Sequence, residues 1–167
     1  MSPEVAVVGA AMTQFGDREA WIGDLLAEAG RACLADAGVD PAAVEHLLIA
    51  RASGEYQGQS GLANRLAGEL GVEPAYAEGV DQTSAAGGAG VYEAWQSVAS
   101  GASELTLLVG GEKMTHESTA RLSDQLAAIT HPAEYKHGVT MPAFAGLAAR
   151  AYLDRYDAPR ESLAEAA

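Results

Sequence analysis

Cysteine is almost missing from this chain. Cys33 stands alone, so no intramolecular disulfide can form, and a reducing cytoplasm is the expected compartment. Its place within a helical apolar pattern predicts burial. Lysine is equally scarce, at Lys113 and Lys136 only, and acidic residues outnumber basic ones 23 to 10, for a formal charge of −13. A polyanion would be repelled by such a surface, so nucleic acid is not an expected partner. The amino terminus carries no basic leader, and its apolar run at residues 5–9 is too short for a signal peptide or a membrane span. A soluble, cytoplasmic protein without a membrane partner is expected. Isoleucine occurs three times, at Ile22, Ile49 and Ile129, and aromatics make up 6% of the chain.

The 167 residues, 49% of them hydrophobic, suffice for one domain with a real core and not for two. Asp and Glu are scattered between apolar residues, which predicts a solvated acidic surface and no charged tail. Few lysines with many alanines and glycines resemble the composition of proteins from salt-loving archaea, where salt screens surface repulsion. An acidic protein from a GC-rich bacterium has a similar composition.

Hydrophobic periodicity alternates along the chain. The β-branched run at residues 5–9 predicts a strand buried on both faces. Ile22, Leu25, Leu26, Ala29 and Cys33 recur at helical spacing, with Gly38 as a stop, and predict a helix over Ile22–Ala37. Pro41 opens a single turn, and residues 44–50 read as a second strand. Leu62, Leu66 and Leu70 before Gly71 give a second helix, residues 75–80 a third strand, residues 84–100 a third helix with Val91, Ala94, Trp95 and Val98 as its stripe, and residues 105–109 a fourth strand.

This alternation predicts an α/β fold whose mainly parallel central sheet has helices on both faces. Residues 112–142 hold Lys136 and three histidines without sustained periodicity, which predicts a long excursion or small subdomain. A last long helix is expected from Pro142 to about Tyr156, with Phe144, Leu147, Ala148, Ala151 and Tyr152 on one side. Pro159 then marks a further helix start, in which the sequence stops. The organisation expected is an α/β core at residues 1–111 and, at residues 112–167, the excursion and the start of the following helices, all within one domain. No repeat, low-complexity tract or interdomain linker is visible.

Ser84 stands where a nucleophile would gain electrostatic help, and a helix cap is the plain reading of the same position. A parallel α/β sheet gathers reactive groups beyond the carboxyl ends of its strands, and Ser84 follows such a strand at the head of a glycine-rich helix. The helix dipole and the backbone N–H groups there, those of Ala85 and Gly87, can stabilise an oxyanion. Gly87, Gly88 and Gly90 each cost about 1 kcal/mol of helix propensity relative to alanine, which predicts a close approach by a neighbouring helix, a sister subunit or a substrate. Thr83 and Ser84 are also good helix caps, and the spacing does not match a Gly-x-Ser-x-Gly elbow. His46 lies in a predicted strand and reads as packed or solvated. His116, His131 and His137 have the spacing of neither a metal site nor a triad and read as surface residues.

Several stretches resemble the amino-terminal half of a thiolase-superfamily protein, most closely the archaeal thiolases similar to lipid-transfer-protein thiolase. They are Val7, Val8 and Gly9 with Thr13 to Gly16, the run from Val80 to Gly87, the turn from Gly110 to Thr115, and the segment from Tyr152 to Leu163. The resemblance places Ser84 on the family's catalytic cysteine, Asp81 on its usual asparagine and Ala86 on its usual serine. Some thiolase-like proteins of halophilic archaea are similar in using serine with histidines.

The resemblance implies a thiolase-like half-fold and transfer of acyl groups to and from coenzyme A. Coenzyme A thioesters would be substrates, with no resident cofactor and no metal. The family's two catalytic histidines and second glycine-rich loop are expected in a carboxyl-terminal half outside these residues, so the catalytic site is expected to be incomplete here. It further implies a homo-oligomer, a small partner protein with an OB-fold and zinc ribbon, and an excursion that helps hold coenzyme A. Met114, Leu122, Leu126, Met141 and Phe144 could wall a pantetheine tunnel or merely pack the subdomain, and Arg121 or Lys136 could meet a phosphate. Two alternatives stand beside the acyltransferase: a non-catalytic acyl-CoA or lipid carrier or assembly protein, and a condensing or decarboxylating relative.

Overall fold

The computed structural model describes residues 4–53, 60–73 and 76–165. Its elements run α1 (Ile22–Ala37), β1 (His46–Arg51), α2 (Leu62–Leu70), β2 (Tyr76–Asp81), α3 (Ala86–Ala99), β3 (Thr106–Gly110), α4 (Thr119–Ala127), α5 (Pro132–Tyr135), α6 (Met141–Tyr156) and α7 (Glu161–Glu165). The chain divides into two compact units, Met1–His116 and Glu117–Ala167.

In the first unit the described strands form a parallel sheet in the order β2-β1-β3. β1 lies in the middle, where a strand covered on both faces must be apolar throughout, and its Leu47, Leu48, Ile49 and Ala50 are all buried. Alternation along the strand sorts them. Leu47 and Ile49, with Leu107 and Val109 of β3, join a cluster with Leu26 and Leu34 of α1 and Leu66 and Leu70 of α2. Ala50 and Leu108 meet α3 at Gly90 on the opposite face. Helices thus cover both faces, as the alternating pattern predicts.

The helix stops fall on the expected glycines. Gly38 and Gly71 adopt left-handed conformations, φ 64° and 69°, and the amides of Val39 and Val72 return to Leu34 and Ala67, the hydrogen-bonding pattern of a left-handed helix cap.

Residues 5–9 correct the sequence reading, because they form no strand: Val7 is 87% exposed. A β-branched run becomes a strand only beside a neighbour that accepts its backbone hydrogen bonds. Here residues 5–9 pair with neither edge strand of the described sheet, β2 or β3. The segment instead lies against the end of α1, where Ala10 N donates to Asp36 Oδ2 at 2.9 Å and a Cβ on Gly9 would come within 2.7 Å of Ala37 Cβ. Cys33 is half-buried, less than expected. Ala75, expected to open the strand before Ser84, lies outside the described residues.

In the second unit, the stretch read as a long excursion or small subdomain without sustained periodicity contains α4 and α5. Side chains cap both: Ser118 Oγ accepts from Arg121 N at 3.3 Å and His131 Nδ1 from Ala133 N at 3.1 Å. Thr140 Oγ1 caps α6 at Ala143 N, 3.4 Å away. α4 packs against α6, yet Phe144, Leu147 and Tyr152 on α6 remain exposed.

Candidate active site

β2 delivers the chain to the carboxyl end of the sheet, and a single 3-10 turn, Thr83–Ala85, joins it to α3. The turn closes with Ala85 N donating to Gln82 O at 2.9 Å and Ala86 N donating to Thr83 O. Thr83 takes a left-handed backbone, φ 46°, a conformation that strains a β-branched residue by roughly 1–2 kcal/mol. Ser84 follows it and is exposed.

The Ser84 hydroxyl does not cap the helix, since neither the turn nor α3 receives a side-chain capping bond. No acidic residue lies in the first turn of α3, so the positive end of its dipole is not offset there. Ser84, Ala85 and Gly87 therefore lie within four residues at an uncapped helix N-terminus, with the Ala85 amide engaged by Gln82 in this conformation. Gly90 has a steric reason to be glycine, because a Cβ would lie 2.7 Å from Leu108 Cδ1 and 3.2 Å from Ala50 Cβ. Around Gly87 and Gly88, apart from their chain neighbours and the backbone of the helix itself, no described atom comes within 4 Å of where a Cβ would sit.

The turn after β3 is fastened to the same end of the sheet. Gly111 N donates to Ala50 O at 3.3 Å, the Glu112 carboxylate accepts from Ala52 N, and Lys113 Nζ donates to the Arg18 carbonyl and to Thr115 Oγ1. The Gly110 to Thr115 motif thereby ties β3 to β1 and to the loop before α1.

The histidines are dispersed. His46 begins β1, at the end of the sheet opposite Ser84, where its Nδ1 lies 2.8 Å from Ser97 Oγ. His131 caps α5 and belongs with His137 to the second unit. No group of His, Cys, Asp or Glu among the described residues is arranged to hold a metal ion. Of the proposed tunnel residues, Leu122, Leu126 and Met141 are partly buried in the second unit and Phe144 is exposed.

Sequence reasoning missed a hydrogen-bonded chain behind His46. Ser97 Oγ lies 3.1 Å from Ser103 Oγ, which lies 2.7 Å from Thr106 Oγ1, while Glu78 Oε1 is 3.5 Å from His46 Nε2 and Glu78 Oε2 accepts from Tyr76 OH at 3.0 Å. The Tyr76 phenol is pushed above the ordinary tyrosine range, first by its hydrogen bond to Glu78. The signal available was the period of β1, which puts His46 on the face shared by Ala50 and covered by α3.

Residues 5–167 match the thiolase N-terminal domain family. The chain belongs to the thiolase family. Among known thiolase relatives, an acetyl-CoA acetyltransferase of Methanothermobacter thermautotrophicus is 31% identical over 170 residues, covering 96% of this chain and 42% of that protein. One of Methanocaldococcus jannaschii is 30% identical over 164 residues, covering 96% and 41%. The chain thus spans about two fifths of the length of these relatives. Among solved structures, acetyl-CoA acetyltransferase from Syntrophomonas wolfei superposes with a TM-score of 0.56 at 25% identity, over 61% of this chain and 27% of that one. A cysteine-to-serine variant of Xanthomonas campestris OleA with bound lauric acid and lauroyl-CoA gives 0.51 at 25% identity, over 70% and 33%. The α/β thiolase half-fold expected from the sequence is the fold observed. No helix among the described residues is long and apolar enough to cross a membrane.

Proposed function

We propose that this thiolase-family chain is the amino-terminal half of an acyl-CoA acyltransferase of the β-ketothiolase type, with Ser84 carrying the acyl group. The observation that carries this reading is the placement of Ser84, exposed and uncapped, on the turn between β2 and the head of α3, in a chain whose relatives are acetyl-CoA acetyltransferases. A base takes the Ser84 proton, and the oxygen attacks the thioester carbonyl while N–H groups at the α3 terminus hold the oxyanion. The carbon–sulfur bond breaks, coenzyme A leaves with the proton, and Ser84 becomes an acyl ester. A base then takes the α-proton of a second acyl-CoA, its carbanion attacks that ester, the carbon–carbon bond forms as the acyl–oxygen bond breaks, and the Ser84 oxygen recovers a proton from the base.

The base belongs to the complementary half of the enzyme, so this chain alone is catalytically incomplete. The reading extends to a cytoplasmic homo-oligomer of haloarchaeal type in lipid metabolism, with coenzyme A thioesters as substrates and a small OB-fold, zinc-ribbon protein as an accessory partner.

A second reading is favoured by the missing thiol: a thiolase-like acyl-CoA or lipid carrier. A serine-for-cysteine protein of similar fold holds lauroyl-CoA, which supports binding without requiring turnover. The experiment is to incubate the native protein with acetyl-CoA labelled in the acetyl group, quench in acid and map the label. Label on the Ser84 peptide that disappears in Ser84→Ala supports the acyltransferase. Retained acetyl-CoA binding with no label in either protein replaces it with the carrier.

A further inference from the structure

The opposite end of the sheet holds a second site. Where β1 and β2 begin, a cavity of about 690 Å³ opens between the strands and the last turns of α3. Along the helix Ser84 and Ser97 are separated by about 20 Å, so this cavity is independent of the turn that carries Ser84. Its volume falls within the range of small-molecule sites.

Glu78, His46 and Ser97 follow one another in the order of an acid–base–nucleophile triad, which invites a reading as a hydrolase. The surroundings exclude it, because acyl chemistry needs donors aimed at a developing oxyanion. This is the carbonyl end of α3, and the nearby amides of Ala102 and Ser103 both fold back onto Ser97 O, at 3.0 and 3.2 Å. The amides of Ser100 and Gly101 are likewise engaged, by Gln96 O and Val98 O, so these four backbone amides leave no oxyanion donor.

The charged groups and rings in the cavity wall favour positive charge instead. Glu45 and Glu93 are in its wall, and no lysine or arginine is. The last turn of α3 carries no basic residue, although a cation is the usual complement to the negative end of a helix dipole. Two half-exposed rings, Tyr76 and Trp95, stand in the wall and offer the faces on which an ammonium group sits. Behind them His46 Nε2 is buried without a hydrogen bond, 3.5 Å from Glu78 Oε1, a carboxylate outside the cavity wall.

We propose that this cavity binds a small aliphatic amine in its protonated form, with an ammonium group between Glu93 and the Trp95 ring and a second one, in a diamine, toward Glu45. The test is calorimetric titration of the protein with 1,4-diaminobutane, with 1,4-butanediol as the uncharged isostere, followed by Trp95 fluorescence. The proposal expects saturable binding of one diamine with quenching and no binding of the diol. It further expects affinity about tenfold weaker in Glu93→Gln and in Trp95→Leu, and unchanged affinity in Asp154→Asn, an exposed carboxylate of the other unit. Failure to saturate, equal binding of the diol, or an equal loss in Asp154→Asn would overturn it, the last by showing attraction to overall charge alone. Glu93 is exposed, so its neutral variant tests the site without disturbing the core.

Discussion

Gly110 and Ala50 are opposite each other in the β1–β3 register, and a Cβ on Gly110 would lie 2.9 Å from the Ala50 carbonyl oxygen and 3.1 Å from its Cβ. Neither atom can swing aside, since one is backbone and the other is fixed to it. Gly110→Ala must part the two strands, and with them the Gly111 N to Ala50 O bond that orders the next turn. The expected cost is about 1–3 kcal/mol, read as a lower midpoint in urea unfolding at unchanged slope. An unchanged midpoint would mean that the strands do not approach this closely.

The glycines of α3 are expected to differ from one another. Gly88→Ala meets no described atom within 4 Å and removes a poor helix former, so the chain should gain about 0.5–1 kcal/mol. Gly90→Ala makes the same gain in propensity but meets Leu108 and Ala50, and the net effect should be a loss of about 1 kcal/mol or more. Thermal melts of the two variants side by side check the ordering.

Ser97→Ala should cost about 1–3 kcal/mol, because it leaves His46 Nδ1 and Ser103 Oγ, which Ser97 joins at 2.8 and 3.1 Å, without that partner in a buried place. Replacing one small side chain by another makes no cavity to confuse the result. Denaturant unfolding that matches the unaltered protein within error would show that water substitutes for the hydroxyl.

At alkaline pH the Tyr76–Glu78 pair has a signed effect. The Tyr76 phenol donates to Glu78 and ionises above the ordinary tyrosine range. A folded pKa raised above the unfolded one means that stability is fully present below the ordinary tyrosine value of about 10. It is lost as the pH rises from there through the raised value. Absorbance titration should show a late-ionising phenol that is missing in Tyr76→Phe and ionises earlier in Glu78→Gln, where burial and Glu93 still hold it up.

Much of the scaffold was legible because its signals are local. Gly38 and Gly71 end helices by their own conformation, and the apolar run Leu47 to Ala50 reads as a central strand without reference to anything distant. Residues 5–9 misled for the converse reason: their β-branched residues fit a strand, but a strand forms only by pairing, and they join neither edge of the described sheet. Ser118 and His131 cap α4 and α5, yet the four residues of α5 are too few for a period, and α4, as long as α2, has only Leu122 and Leu126 as large apolar residues at helical spacing. The position of Ser84 could be read from the strand before it and the glycines after it. The His46–Ser97 contact joins residues 51 apart and becomes visible only once α3 lies across the sheet.

The chemistry of the Ser84 turn can be probed with a thiol. In Ser84→Cys the new sulfur would occupy an exposed position at the uncapped head of α3, where the helix dipole favours the thiolate and lowers its pKa from the ordinary value near 8.5. Cys33, the one natural cysteine, is its internal reference. Burial first, and then the charge of Asp36, push the Cys33 thiol up. Since the thiolate is the reacting species, limiting iodoacetamide at pH 7 should label position 84 at least about tenfold faster than Cys33, as timed samples read by peptide mass would show. The comparison holds accessibility and electrostatics together, so a pH series separates them: the labelling curve of position 84 should rise at lower pH than that of Cys33. Coincident curves would mean that the α3 terminus gives a nucleophile no electrostatic help. The oxygen of Ser84 would then depend on its base alone.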